Sequence, residues 1–127
     1  MISLKNTLVV FPRYSICLFI FLFCSSILFY SGGTLHNPST IGYSFTRNFF
    51  SDLGILSQEN IISVILFAMG LLVVGLNFIL YFYSFMKLFN ANTFIGKIGK
   101  AGSIFGIIGA IFFIIILSFK LPIYKAF

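Results

Sequence analysis

Apolar residues gather into three long runs along this chain, and the polar residues between them fall into one extended stretch and one short one. The first run, Tyr14 to Tyr30, is about 17 residues. That is longer than the roughly 7 to 15 of a signal-peptide core, and only Ser31 and Gly33 offer small cleavage-site residues behind it. An uncleaved first transmembrane helix is therefore expected, with Leu8 to Phe11 extending it across Pro12, which marks a kink or the helix start. Ile61 to Tyr83, about 23 residues, is the longest run and can span a hydrocarbon core of roughly 30 Å with some tilt. Tyr81, Tyr83, Phe85 and Lys87 mark its exit through the interface. After the short connection Asn90 to Lys100 comes a third run, and Lys120, Pro122, Tyr124 and Lys125 follow it. The pattern predicts an all-α membrane protein in a single domain over 1–127, with spans at about 14–31, 61–84 and 101–119 and a loop over 32–60.

That loop holds the only His and both acids of the chain, and its Gly, Ser, Thr, Asn and Pro cannot lie in hydrocarbon. Gly32-Gly33 ends the first helix and Asn37-Pro38 marks a turn. From Gly42 to Gly54 the spacing fits a short amphipathic helix, with Phe45, Phe49, Phe50 and Leu53 on one face and Arg47, Asn48, Ser51 and Asp52 on the other. Gly54 closes it. Ser57 is then placed as N-cap of the second span, with Glu59 in its first turn.

Composition reinforces this picture. At 60% hydrophobic and 8% charged, the chain is far poorer in charge than a soluble domain, where charged residues make up about a quarter. The net charge of +6 does not point to nucleic acid, because the eight basic residues are scattered at helix ends rather than gathered on one surface. They read as topogenic. Lys5 and Arg13 precede the first span and Lys87, Lys97 and Lys100 surround the second connection, whereas the first loop has only Arg47. The positive-inside rule then puts the N-terminus and second connection in the cytoplasm, and the first loop and C-terminus outside the cell membrane, against the mild contrary pull of Lys120 and Lys125.

Small or weakly polar residues recur at seven-residue spacing: Cys17, Cys24 and Ser31; Ser63, Gly70, Asn77 and Ser84; Gly99 and Gly106, with Gly102 and Gly109 beside them. Such a stripe suits left-handed helix packing, and Gly102-x-x-x-Gly106-x-x-x-Ala110 allows a closer approach. Asn77, an amide inside a span, should face another helix. Cys17 and Cys24 lie about two turns apart on one helix, too far for a mutual disulfide, and read as packing residues.

The candidate polar set is His36, Arg47, Asn48, Ser51, Asp52 and Gly54. No metal-ligand spacing accompanies His36, and no cofactor motif is present. Ser51 beside Asp52 makes no nucleophile, since adjacent helix residues point in different directions. Asp52 and Arg47 either pair with each other or with backbone ends, or Arg47 and Asn48 grip an anionic headgroup, as a guanidinium grips phosphate.

Gly42-Tyr43-Ser44-Phe45, then Asn48-Phe49-Phe50-Ser51-Asp52-Leu53-Gly54, preceded by Gly32-Gly33-Thr34, resembles an uncharacterised family of prokaryotic multi-pass membrane proteins, which carry a similar Asn-x-x-Ser-Asp-Leu-Gly element after their first span. The Ser-Asp-x-Gly part is more loosely similar to the eukaryotic DRAM-type membrane proteins. The resemblance implies a six-span helical bundle without an established activity. Three spans would then be a half-length variant, pairing as a homo-oligomer or with a second three-helix subunit, or a truncated gene product. Three readings stand open at this stage: a membrane protein whose outer loop is structural or recognises something, a lipid-directed enzyme with Asp52 and His36 at the outer interface, and half of a transporter suggested by Asn77 and the Gly-rich third span. The lipid bilayer is the one partner common to all three.

Overall fold

The computed structural model describes residues 3–34 and 37–123, with 116–123 as helical backbone. Three helices carry the fold: α1 (Phe11–Leu28), α2 (Ile61–Met86) and α3 (Phe94–Ile123). The segments Asn6–Leu28, Gln58–Met86 and Phe94–Ile115 are each long and apolar enough to cross a membrane.

Pro12 neither starts nor breaks the first span. A π-helical turn over Asn6–Val10 runs into α1, and the N–H of Phe11 reaches back five residues to the Asn6 carbonyl. Proline has no N–H and its ring crowds the carbonyl four residues back, so a wider turn just ahead of it lets the rod continue. The third span begins earlier than residue 101 because Thr93 caps it: its hydroxyl accepts from the Gly96 N–H at 3.0 Å. Lys97 and Lys100 therefore ride on α3, and the second connection shrinks to 87–93.

The helices alternate in direction, which follows from their contacts. Going up α2, Ser63 meets Ser26 and the α-carbon of Gly70 faces Phe19 and Leu22 of α1, so the partner numbers fall as α2 rises. On the opposite flank Gly75 faces Ile114 and Phe82 faces Gly106, with Phe89, past the end of α2, against Gly99. α2 is thus the middle member of a row, packed on both sides, and α1 and α3 scarcely meet among the described residues.

The contact stripe of α1 is Ser15, Phe19, Leu22 and Ser26, alternating four- and three-residue steps. Cys17 and Cys24 sit two positions off it, about 200° round the helix, and are exposed; they take no part in the packing. Ser31 lies beyond the helix. On α3 the corresponding stripe is Gly99, Ser103, Gly106 and Ala110, and the space beside Gly102 and Gly109 is open. Gly106 allows a close approach, since a Cβ there would stand 2.7 Å from the Phe82 ring.

Three serine hydroxyls inside the spans are satisfied locally. Ser15 donates to the Pro12 carbonyl, Ser25 to Phe21 and Ser103 to Gly99. Ser26 and Ser63, both fully buried, instead form a reciprocal clasp: each hydroxyl donates to the other residue's carbonyl, at 2.9 and 2.8 Å. With the helices alternating, Lys5, Arg13, Lys87, Lys97 and Lys100 share one end of the row, and Asp52 and Glu59 share the other with Arg47.

Gly106→Ala is expected to lower the midpoint of thermal unfolding in detergent by an overpacking penalty of about 1–3 kcal/mol, whereas Gly109→Ala should leave it unchanged or raise it.

Candidate functional site

The 31–60 connection is fastened at its base by a residue that the sequence pattern does not single out. Asn60, 2% exposed, accepts from the Ser31 N–H through Oδ1 at 2.8 Å and donates through Nδ2 to the Gly32 carbonyl at 2.9 Å. Ser31 adds a hydroxyl bond to the Glu59 carbonyl. The end of the first span is thereby tied to the start of the second. Ser57 makes no capping bond with its side chain; a 3-10 turn over Gln58–Asn60 leads into α2 instead.

Above this tie the chain doubles back through an antiparallel bridge between Gly32 and Ile41, with Gly33 N–H on the Thr40 carbonyl and Gly42 N–H on the Ser31 carbonyl, both at 2.9 Å. Gly32 has φ +125°, and a Cβ there would lie 2.0 Å from the Thr40 carbonyl oxygen, so glycine is required twice over.

The Gly42 to Gly54 stretch is not one amphipathic helix. A turn at Ser44–Asn48 is followed by extended Phe49 and a 3-10 helix over Phe50–Gly54. The faces sort differently too: Asp52 and Leu53 are both buried, whereas Phe45, Phe49 and Phe50 are exposed. Side-chain bonds to the backbone account for the break. Asn48 Oδ1 accepts from the Ser44 N–H at 2.9 Å, Asn48 Nδ2 donates to Asp52 Oδ2 at 3.3 Å, and the same Oδ2 accepts from the Phe49 N–H at 2.9 Å. Asn and Asp offer the chain this alternative to helical pairing, and here they take it. Asp52 is thus satisfied by a backbone end rather than by Arg47.

This short helix does not stand above the bundle. Phe50 packs edge-on against Phe23 of α1 with ring centroids 5.2 Å apart, and Gly54 backs onto Phe67 of α2. Phe23 lies five residues before the end of α1 and Phe67 six residues into α2, or about 8 Å along each axis at 1.5 Å per residue. Leu53, fully buried, joins Tyr30 and Phe67 in the core cluster, with Phe23, Ile27, Tyr43 and Leu71 around it. Tyr30 donates to the Gly33 carbonyl and meets the Tyr43 ring edge-on, which links loop base and loop body.

Arg47 is exposed, and among the described residues no carboxylate pairs with it. It borders a cavity of about 300 Å³ lined also by Asn37, Ser39, Thr40, Gly42, Ser44 and Asn48. Ser51 is exposed and Gly54 half-buried. His36 lies outside the described residues, so its distance from Asp52 is not part of this geometry. No cluster of metal-ligating side chains occurs among the described residues. Asn77 is half-buried in a groove between α1 and α2, beside Tyr14, Ser15 and Leu76, away from the α3 contact.

Burial raises the ionisation of the Tyr30 phenol above its usual range, with the Asp52 carboxylate and then Tyr43 adding to the shift. Tyr43 is raised by burial and then by Asp52. Comparison with known proteins finds no matching family model, no matching curated protein and no matching solved structure.

Asn60→Ala leaves the Ser31 N–H and Gly32 carbonyl unpaired, so detergent melting should show a loss of about 1–3 kcal/mol or more. The phenols predict an alkaline limit. A folded pKa above the unfolded one keeps Tyr30 and Tyr43 neutral in the native state, so their contribution is complete below about pH 10 and lost as pH rises further. Tyr30→Phe should flatten that part of the stability profile.

Proposed function

We propose that this chain is a small multi-pass protein of the cell membrane, with its N-terminus in the cytoplasm and its first loop outside, and that the loop is a rigid recognition element rather than an active site. Three long apolar helices support the membrane placement, and the gathering of five of the eight basic residues, Lys5, Arg13, Lys87, Lys97 and Lys100, at the end opposite the loop supports the orientation.

The observation that carries the reading is the division of labour within the loop. Asp52 and Asn60 are buried and bonded to loop or linker backbone, while Arg47, Phe45, Phe49 and Phe50 are exposed. A general acid or base must be able to reach a substrate proton, and Asp52 Oδ2 is already held by two donors. Exposed aromatics on the same loop as a guanidinium with no carboxylate partner among the described residues suit contact with a surface. On this reading the element resembling the multi-pass family is a fastening motif: Asn48 and Asp52 bend the chain, Leu53 plugs the core and Gly54 rests against Phe67.

Two measurements test it. In intact cells a membrane-impermeant maleimide should label Phe45→Cys but reach Lys97→Cys only after permeabilisation; the reverse result overturns the orientation. Asp52→Ala should unfold more easily. If instead it melts as the parent does while the cellular phenotype is lost, Asp52 has a chemical role and the recognition reading fails.

A further inference from the structure

We infer that the cavity beside Arg47 is a binding site for a phosphodiester anion, the headgroup phosphate of a phospholipid in the leaflet on the loop side. The inference rests on the loop being a recognition element and names what it recognises.

Arg47 brings a guanidinium with no carboxylate partner among the described residues. The chain has only two acids: Asp52 is engaged by Phe49 N–H and Asn48 Nδ2, and Glu59 borders a different cavity, with Gly33, Ile55 and Asn60. Around Arg47 the lining is rich in donors. The Asn48 amide uses one of its two N–H bonds on Asp52, the Asn37 amide nitrogen donates to no described residue, and the Ser44 hydroxyl proton is available to a ligand when Thr46 is the donor in their 3.1 Å pair. A planar guanidinium flanked by amide and hydroxyl donors is the chemistry that grips a phosphoryl group.

Depth points to lipid as the source. Phe50 and Gly54 lie beside the outer turns of α1 and α2, so Arg47, a few residues earlier, falls near the level where headgroups sit. Phe45 and Phe49, two residues before and after Arg47 in the chain and 72% and 71% exposed, offer apolar surface suited to the upper acyl chain. Free inorganic phosphate shares the headgroup chemistry but gains nothing from those rings.

The test uses the full chain in detergent with added phosphatidylglycerol, counting retained lipid by native mass spectrometry. Arg47→Gln should retain about tenfold less, the loss of one charge-assisted contact, with an unchanged melting temperature, and Arg47→Lys should fall between. If the lipid is the source, Phe45→Ser should retain less lipid and release it at a lower concentration of inorganic phosphate; Phe45→Ser retaining lipid fully, with phosphate displacing it equally from both proteins, assigns the site to the free anion and overturns the lipid assignment. Arg47→Gln retaining as much lipid as the parent, still folded and still labelled from outside, overturns the site while leaving the loop's orientation and rigidity standing.

Discussion

Backbone lying against hydrocarbon must find its hydrogen bonds within the protein, and that constraint governs the 31–60 connection. Much of this chain segment is irregular, yet its inner part sits level with Phe23 and Phe67, inside the span of the helices. Two buried polar side chains resolve the conflict. Asn60 pairs with both a donor and an acceptor at the end of the first span, and Asp52 takes the N–H that opens the 3-10 helix. No buried side-chain nitrogen or oxygen among the described residues lacks a partner.

The constraint also explains which parts of the structure could be read from sequence. Spans declare themselves by hydropathy, because no other pattern lets about 20 apolar residues run together. The all-α class and three helices follow from that alone. The boundaries were harder: Thr93, three residues ahead of Gly96, is a capping signal that hydropathy averages away. The loop was legible as special but not in its geometry. Helical periodicity placed Asp52 opposite Leu53, whereas bonds from Asn48 and Asp52 to the backbone fold the chain so that both point inward. Asn60 was invisible because its partners, Ser31 and Gly32, lie 28 or 29 residues away, and nothing local distinguishes it from any loop asparagine.

Helix packing shows the same limit. Seven-residue spacing selected Cys17 and Cys24 along with Ser63 and Gly70, since a single heptad position cannot say which of seven faces is the contact. Two positions per heptad would have been needed, as in Ser15, Phe19, Leu22 and Ser26. The two flanks of α2 then differ in kind. Toward α1 it offers Ser63 and Gly70, with a polar clasp buried between helices; toward α3 it offers Gly75 and the ring of Phe82, which lies over Gly106.

The sorting of ionic residues has an electrical consequence. Five cations at one end of the helix row, against both carboxylates and Arg47 at the other, give the molecule a lasting polarity along the helix row. In the orientation proposed above, a bilayer that is negative on the cytoplasmic side holds such an object in place, because turning it over would drag each of those five cations uphill by about 2.3 kcal/mol for every 100 mV, against the smaller gain from bringing Arg47 inward. On that proposal voltage across the membrane works together with the lysines and arginines of that end, and a de-energised cell would lose that share of the bias.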